Sequence, residues 1–374
     1  MNNSSDRTDM FMKNINTRYK YHFEPQKGWM NDPNGLVFFK GCYHAFFQHN
    51  PYAAHWDKMH WGHAVSTDLL TWKELDIALF PDMPYENEGG CYSGSAIVKD
   101  DILYLFYTSV SHELGQTQSL AISEDGIHFT KYEGNPVINH WPLQGSKEFR
   151  DPMVFANPKG GYSMVIGSDH DGHGRVLMYN SSDLFHWNYS HVLYEATDYN
   201  ATIECPNFFP LEDKYVLMYS CMDFHTYSVR FVIGEFDGVN FVPERICTPE
   251  AGPQFYAPQT FETPDNRRIM IGWFFDWKRE VAPNAVSAGA LTVPREITLA
   301  DGDIRTYPVR EAASLLSSYP HTDLSKEDNK LIIHNTSVGD LVCPLEIEHI
   351  EILEDTKGYE LFVNNGLWSA SIVK

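Results

Sequence analysis

The sequence lacks long apolar runs and is poor in basic residues. No stretch approaches the roughly 18 apolar residues of a membrane-spanning helix, and the start, MNNSSDRTDMFMKN, has no basic segment followed by an apolar core. We therefore expect a soluble chain that is not exported and has no membrane partner. Basic residues number 28 against 50 acidic ones, which gives a formal net charge of −22. Because such a surface repels phosphates, nucleic-acid binding is not expected.

Cysteine is scarce, and cofactor motifs are absent. The six cysteines include no CxxC pair and lie mostly in apolar, strand-like runs, which predicts buried free thiols and a reducing cytoplasm. His60 and His63, in the segment HWGH, have no third ligand at a suitable spacing, so we predict hydrogen bonding or packing for them and no metal site. No cofactor is expected.

Amphipathic helical patterns of useful length are missing too, whereas a repeat is present. Four segments share an aspartate followed by an aromatic residue four positions later, with successive aspartates 57, 58 and 54 residues apart. These pairs are Asp68 with Trp72, Asp125 with Phe129, Asp183 with Trp187, and Asp237 with Phe241. Short aromatic and β-branched runs between turn residues predict about four antiparallel strands in each unit. Repeated four-stranded units predict a β-propeller.

The repeats also set the predicted domain organisation. A fifth unit lacks the aspartate hairpin and is predicted from strand-like runs at 255–261, 268–275, 288–293 and 296–299. The predicted fold is all-β, a five-bladed β-propeller followed by a shortened C-terminal β-sandwich-like module. The predicted parts are a polar N-terminal segment, the propeller, a linker and the module, at residues 1–20, 21–308, 309–320 and 321–374.

Three acids occupy similar positions in the repeats. Asp32 in WMNDPNG and Asp151 in FRDP come directly before a proline, and Glu204 in ECP comes before one with a single residue between them, where the first strand of a blade is expected to begin. The WMNDPNG segment is predicted to be a stiff loop that leads into its strand. Each acid alone could simply shape a strand-entry turn. Because first strands line the central channel of a propeller, however, we expect the three carboxyl groups to meet there.

Cleavage of a glycosidic bond is a reaction that uses such a group of acids. One carboxylate acts at the anomeric carbon, a protonated acid serves the leaving oxygen, and a third acid can hold hydroxyl groups. Crowded carboxylates raise the pKa of one member, and the adjacent Arg150 can keep a neighbour ionised or steady a hydroxyl group. Six aromatic residues are predicted to form the surrounding shell: Trp29, Trp56, Trp61, Tyr92, Tyr256 and Trp273.

The motifs WMNDPNGL, HWGHAVSTDLLTW, SGSAIV, FRDP, ECPNFF and FYAPQTF resemble glycoside hydrolase family 32, in the family's order, across residues 21–307. The resemblance implies a five-bladed propeller with a β-sandwich and retaining cleavage of terminal β-fructofuranosyl units, with a carbohydrate as partner. It implies Asp32 as nucleophile, Glu204 as acid/base and Asp151 as transition-state stabiliser. The substrate contacts that it implies are Asn31, Gln48, Trp56, Ser93, Arg150, Tyr256 and Trp273.

The sequence departs from the family at Asp57, which follows Trp56 where glycine is usual, at Gln254, where acids are common, and in its short tail. Asp57 either points into the leaving-group subsite or turns to solvent. If it points inward, it accepts hydrogen bonds from sugar hydroxyls and repels phosphate. We would then expect a preference for unphosphorylated sucrose or short fructo-oligosaccharides, and Asp57 is counted among the substrate-binding residues.

Several alternatives stay open from the sequence. A sucrose-6-phosphate hydrolase or a fructosyltransferase would use the same acids. An inverting arabinanase or xylosidase of a related propeller family would also use three acids, although the WMNDPNG and ECP motifs disfavour it. A non-catalytic sugar-binding propeller would be expected to have lost one acid, and all three are present. The sequence does not indicate an oligomeric state.

Overall fold

The computed structural model describes residues 18–222, 228–318, 320–327 and 330–374, so residues 1–17 of the predicted N-terminal segment lie outside it. Within these ranges nearly all regular structure is β-strand, with two short 3₁₀ helices at Pro84–Glu86 and Arg310–Leu315. In the same ranges no helix is long and apolar enough to cross a membrane.

Five sheets, each built on four antiparallel strands, form the blades of the propeller. Blade one contains β1 Gly28–Phe39, β2 Cys42–Asn50, β3 His60–Ser66 and β4 Lys73–Leu79. Blade two contains β5 Gly90–Lys99, β6 Ile102–Ser111, β7 Gly115–Ser123 and β8 Thr130–Lys131. Blade three contains β9 Phe149–Ala156, β10 Tyr162–His170, β11 His173–Ser181 and β12 Asn188–Ala196. Blade four contains β13 Ile203–Leu211, β14 Lys214–Cys221, β15 Val229–Phe236 and β16 Phe241–Cys247.

The remaining strands complete the ring and build the C-terminal module. They are β17 Glu250–Ala251, β18 Phe255–Glu262, β19 Arg268–Phe274, β20 Ser287–Ala288, β21 Arg295–Ala300 and β22 Asp303–Pro308, followed by β23 Leu316–Ser318, β24 Leu324–Glu327, β25 Lys330–Thr336, β26 Gly339–Val342, β27 Ile350–Asp355, β28 Gly358–Val363 and β29 Trp368–Val373. Blade five has the strand order β18-β19-β21-β22. Each innermost strand contacts the next, and β18 contacts β1, so the ring is closed.

The repeated aspartate makes the same turn in four blades. Oδ1 of Asp68 accepts hydrogen bonds from the backbone N–H groups of Leu70 and Thr71, at 2.9 and 2.7 Å. The equivalent aspartates of blades two, three and four bond the backbone in the same way. The repeat found in the sequence is therefore a side-chain-stabilised turn between the third and fourth strands.

All five innermost strands carry a bulge at the same level. In each case two residues face one residue of the second strand: 31 and 32 in β1, 92 and 93 in β5, 151 and 152 in β9, 205 and 206 in β13, and 257 and 258 in β18. A bulge redirects side chains and tolerates a proline that cannot donate to the ladder. Asp32 therefore lies inside a bulged strand, and the prediction of a loop before the strand is wrong.

The sequence-based assignment of blade five is also wrong in its outer half. The third strand is β21 and the fourth is β22, whereas the predicted strand at 288–293 begins in β20, which pairs in parallel with β1 of blade one. Gly289 allows this approach, since a Cβ atom there would lie 2.0 Å from the carbonyl oxygen of Met30. Further along the run, Leu291 forms a β-bridge with Trp273 and the backbone on either side of it hydrogen-bonds to β19, so the run pairs with blade one at its start and with blade five after it.

The C-terminal module is a small sandwich. A five-stranded sheet, β17-β29-β28-β27-β23, and a three-stranded sheet, β24-β25-β26, share one apolar core that includes Leu331, Leu361 and Trp368. Two of its strands come from outside the predicted module: β17 precedes blade five, and β23 lies in the predicted linker. The fold class that the sequence predicted is the one observed.

Buried charges join this module to the propeller. Arg295 of β21 donates a 2.9 Å hydrogen bond from Nε to Glu360 of β28 and also contacts Glu250. His22 lies 2.8 Å from both Asp355 and Glu360, one at each ring nitrogen. All of these side chains except that of Asp355, which is 6% exposed, are 4% exposed or less, so the contact between the two parts contains a paired polar cluster.

Candidate active site

The bulged ends of the innermost strands surround a cavity of about 280 Å³. All three predicted catalytic acids line it, and they come from blades one, three and four. The bulges explain this convergence, because each one turns its side chains out of the sheet at the same height. The lining residues are Asn31, Asp32, Gln48, Trp56, Tyr92, Ser93, Gln116, Glu148, Arg150, Asp151, Glu204, Met222, Tyr256 and Trp277.

Asp32 is held by donors on either side. Ser93 Oγ donates to its Oδ2 at 2.7 Å, and Asn31 Nδ2 donates to its Oδ1 at 3.0 Å. Asn31 is itself oriented by Trp29, whose Nε1 donates to its side-chain oxygen at 2.8 Å. Burial raises the pKa of Asp32, the Ser93 and Asn31 hydrogen bonds lower it, and the charge of Glu204 raises it further. The two donors thus stabilise the ionised form that a nucleophile needs.

Asp151 occupies a strained position in its bulge, with φ of 63°. Its Oδ2 accepts a 2.8 Å hydrogen bond from the backbone N–H of Cys205, which also has a positive φ, of 47°. Burial raises the pKa of Asp151 to about 7; Arg150 opposes this rise, and the charges of Glu204 and Asp32 add to it. Near neutral pH this carboxyl group can therefore exchange a proton or donate a hydrogen bond.

Glu204 is fixed by two donors. Arg150 donates to its Oε1 from Nε and Nη2, at 3.2 and 3.0 Å, and the hydroxyl of Tyr256 donates to its Oε2. The thiol of Cys205 lies 3.7 Å from Asp32 Oδ2 and 3.5 Å from Asp151 Oδ2, so one small side chain separates the two aspartates. The two aspartates therefore meet at Cys205, and Glu204 lines the same cavity with its own two donors.

Arg150 is the one cation among the described residues that line the cavity. Its Nη1 contacts Glu148 and lies 3.2 Å from Gln116 Oε1, while its Nε and Nη2 donate hydrogen bonds to Glu204. Burial alone would lower the pKa of Arg150, but the surrounding carboxylates raise it. The guanidinium is thus charged and already bonded on both sides.

The structure brings six of the eight predicted substrate-binding residues to the cavity: Asn31, Gln48, Trp56, Ser93, Arg150 and Tyr256. Trp273 does not line it, because its side chain is 0% exposed and packs under Trp29 and Trp277. Asp57 does not line it either. That residue is exposed, accepts a 2.7 Å hydrogen bond from the backbone N–H of Lys58, and borders a neighbouring depression.

Four lining residues were not predicted: Gln116, Glu148, Met222 and Trp277. Glu148 lies two positions before Arg150, and the alternation of side chains along a strand could have placed both on one face. Gln116, on the third strand of blade two, carries no sequence signal of this kind. Of the predicted aromatic shell, Trp29, Trp61 and Trp273 are buried beneath the cavity, and the other three line it.

The histidines of HWGH make protein contacts. His63 Nε2 lies 3.0 Å from His44 Nδ1, and its ring stacks on Phe46 at 4.3 Å. His60 Nδ1 lies 3.2 Å from the carbonyl oxygen of Lys58. In the part of the chain that the structure describes, no group of three or more potential ligands could hold a metal ion.

Comparison with known proteins identifies the family. Residues 22–308 match the model of the glycosyl hydrolases family 32 N-terminal domain. The chain belongs to glycoside hydrolase family 32. It is 36% identical over 344 residues to a sucrose-6-phosphate hydrolase of Escherichia coli, covering 86% of this chain and 71% of that one. It is 37% identical over 350 residues to a raffinose invertase of Escherichia coli, covering 87% and 72%.

Solved structures agree. A family 32 β-fructofuranosidase of Bombyx mori, in complex with sucrose, aligns with a TM-score of 0.83 and 29% identity, covering 100% of this chain and 94% of that one. The predicted family and fold class are confirmed, and the chain is a glycosidase of the β-fructofuranosidase type. The roles of its individual site residues stay predictions.

Proposed function

We propose that this family 32 enzyme hydrolyses terminal β-D-fructofuranosyl residues of sucrose or short fructo-oligosaccharides with retention of configuration. The observation that carries the proposal is the convergence of Asp32, Asp151 and Glu204 on one cavity, where Cys205 lies between the two aspartates and Arg150 and Tyr256 hold Glu204. A cavity with three carboxyl groups and a sugar-sized volume suits acid-assisted displacement at an anomeric carbon.

In the first step a carboxylate oxygen of Asp32 attacks the anomeric carbon of the fructosyl unit. The bond to the leaving oxygen breaks, and that oxygen takes a proton from Glu204. In the second step Glu204 removes a proton from water, the water oxygen bonds to the anomeric carbon, and the carboxylate of Asp32 leaves. Asp151, with its pKa raised to about 7, exchanges hydrogen bonds with the fructosyl hydroxyls as positive charge develops on the ring.

The charges of the cavity support an unphosphorylated leaving group. Four carboxyl groups line it (Asp32, Glu148, Asp151 and Glu204), and its cation, Arg150, is bonded to two of them. A phosphate on the leaving sugar would meet carboxylates without an available bidentate partner. Asp57 lies outside the cavity, so the expected preference rests on these carboxyl groups and not on Asp57. A net charge of −22 likewise supports a neutral carbohydrate rather than a nucleic acid as partner.

The test is a panel of sucrose, sucrose 6-phosphate, raffinose and 1-kestose, with the first-formed fructose anomer observed by NMR. We expect the highest kcat/KM on an unphosphorylated sugar and the β anomer as first product. Inversion of configuration, or a preference for the phosphate, would contradict this assignment. Fructosyl transfer to sugar uses the same acids, and the ratio of free fructose to glucose released at high sucrose concentration measures it.

We also propose a cytoplasmic location. None of the six cysteines forms a disulfide, and four of them are buried, as expected for a chain kept under reducing conditions. Cell fractionation with an antibody to the protein tests this proposal, and recovery of the protein outside the cytoplasm would contradict it.

A further inference from the structure

A second depression, of about 400 Å³, lies beside the active-site cavity. We call it the distal depression, and its lining includes Asn50, Tyr52, Asp57, His60, Phe80 and Asp82. The loop at 51–59 connects the two sites, with Trp56 in the cavity and Asp57 in the depression. On β2, Gln48 lines the cavity and Asn50 lines the depression. Two residues of a strand span about 7 Å. A substrate that extends out of the cavity therefore reaches the depression within a short distance.

Uncovered aromatic rings form one wall of the distal depression. Tyr52 is 81% exposed and Phe80 is 47% exposed. The ring of His60 lies between them, with centroids 5.6 Å from Tyr52 and 5.7 Å from Phe80 in edge-on arrangements. Core packing does not require these two exposed rings, and grouped exposed apolar surface marks ligand sites. Flat rings beside polar groups suit the CH faces of a sugar.

The backbone around the wall is fixed. The buried amide of Asn50 donates to the carbonyl oxygen of His55 at 2.9 Å and accepts from the N–H of Tyr52 at 3.1 Å. Two residues beyond Phe80, Asp82 is held by Lys131 through a 2.6 Å ion pair. A preformed site loses little conformational entropy when a ligand binds.

The charges of the depression favour a neutral ligand with hydroxyl groups. Burial lowers the pKa of His60, so its ring is neutral at pH 7. Lys58 donates from Nζ to the carbonyl oxygen of Asn87, at 2.8 Å. The carboxylates of Asp57 and Asp82 accept hydrogen bonds from hydroxyls and repel anions.

We propose that the distal depression binds a remote sugar unit of a neutral fructo-oligosaccharide whose terminal fructosyl unit lies in the active-site cavity. The oligosaccharide passes over Trp56 and stacks on Tyr52, with Asp57 as a hydroxyl acceptor. This inference rests on the proposed function. It assigns Asp57 to the distal depression and not to the leaving-group subsite.

The test compares kcat/KM on sucrose, 1-kestose and fructosylnystose. In Tyr52→Ala and in Phe80→Ala we expect the ratio for fructosylnystose over sucrose to fall about 3- to 10-fold. The matched control is Leu143→Ala, which truncates a side chain that is 90% exposed and lines neither site; its ratio stays at the wild-type value. Calorimetric titration of Glu204→Gln with fructosylnystose, with and without Tyr52→Ala, measures the same difference without turnover.

The outcomes separate the two proposals. Wild-type protein that cleaves no fructoside would contradict the proposed function. Wild-type protein that cleaves fructosides, with an unchanged ratio in both aromatic variants, would overturn the distal site alone. A ratio that falls equally in Leu143→Ala would also overturn it, because the effect would then not belong to the depression.

Discussion

Ser93 donates a 2.7 Å hydrogen bond to Asp32 and thereby joins the innermost strands of the first two blades at their bulges. Because burial raises the pKa of Asp32 and this bond lowers it, the charge of the proposed nucleophile depends on a neighbouring blade. At the level of the five bulges, side chains from separate blades therefore contribute to one site.

Removal of the hydrogen bond from Ser93 to Asp32 should shift the pH dependence of kcat/KM. In Ser93→Ala we expect the pKa of Asp32 to rise, so the acidic limb of kcat/KM moves to higher pH. Because hydrogen bonds to charged groups contribute about 1.5 to 3 kcal/mol, activity on that limb should fall about tenfold or more. Ser93→Thr keeps the hydroxyl and should restore the limb. A pH profile of Ser93→Ala that matches wild type would show that Ser93 does not tune Asp32.

The acid/base role predicts a dependence on the leaving group. Glu204→Gln should lower kcat on sucrose about 10²- to 10⁴-fold, and much less on an aryl fructoside whose leaving oxygen needs no proton. Asp151→Asn should lower both rates by the same factor, since its contacts are to the fructosyl unit. If kcat in Glu204→Gln fell equally on both substrates, Glu204 would not be the proton donor.

Glu148 should discriminate against phosphate. Glu148→Gln removes one negative charge from the cavity wall, and with it the carboxylate that neutralises Arg150 at Nη1, so kcat/KM on sucrose 6-phosphate should rise relative to sucrose, by about fivefold or more. Glu195→Gln is the matched control, because Glu195 also pairs with an arginine, Arg175, but lies outside the cavity. An unchanged ratio in Glu148→Gln would contradict the electrostatic argument.

Two tryptophans four residues apart should behave differently. Trp277 lines the cavity and is 40% exposed, whereas Trp273 is fully buried. Trp277→Ala should raise KM for sucrose about 3- to 10-fold and leave the melting temperature nearly unchanged. Trp273→Ala should lower the free energy of unfolding by about 3 to 5 kcal/mol, as expected for a buried aromatic. Steady-state kinetics and urea denaturation on the pair check both, and an exchange of the two effects would refute the assignment.

The buried cluster around His22 should make the free energy of unfolding depend on pH. Burial alone would lower the pKa of His22, but its hydrogen bonds to Asp355 and Glu360 raise it, so its stabilisation is complete below about pH 6.5 and lost as the pH rises through the folded pKa. Burial alone would raise the pKa of Glu360, but Arg295 and His22 lower it to about 2. Its contribution is present above about pH 4.3 and lost as the pH falls towards 2.

Urea denaturation between pH 3 and pH 9 measures this pH dependence. His22→Gln should cost about 3 to 5 kcal/mol near pH 5.5 and should abolish the decline at higher pH. His186→Gln is the control, because His186 pairs with Asp183 in an exposed position and should change little. A decline that persists in His22→Gln would assign it to other groups.

The sequence was sufficient for the features that repeat. The aspartate turns revealed the blades because each one satisfies its own backbone locally, and the acid-proline pattern located Asp32, Asp151 and Glu204 because a bulge accommodates proline. Features that depend on non-local packing were not accessible. The run that contains Ala288 looks like a strand of its own blade, yet Ala288 pairs with Trp29, about 260 positions earlier, and only the later residues of the run pair with β19.

Side-chain direction set a second limit. Trp273 and Trp277 are equally plausible sugar contacts in sequence, and only the burial of β19 and the course of the loop after it separate them. Asp57 follows a cavity residue, but its loop turns it to the neighbouring depression. The predicted catalytic and substrate-binding residues on bulged strands all line the cavity, whereas Asp57 on a loop and Trp273 on β19 do not.

The pairing of β20 with β1 has a consequence for synthesis. The ribosome makes Asp32 long before the strand that flanks β1, which is completed only when Ser287 and Ala288 have emerged. Blade one therefore stays open on one side while blades two to four and the first two strands of blade five are made. The proposed nucleophile thus leaves the ribosome well before its own strand is flanked on both sides, so a nascent chain that stalls before residue 287 carries all three acids without a finished active site.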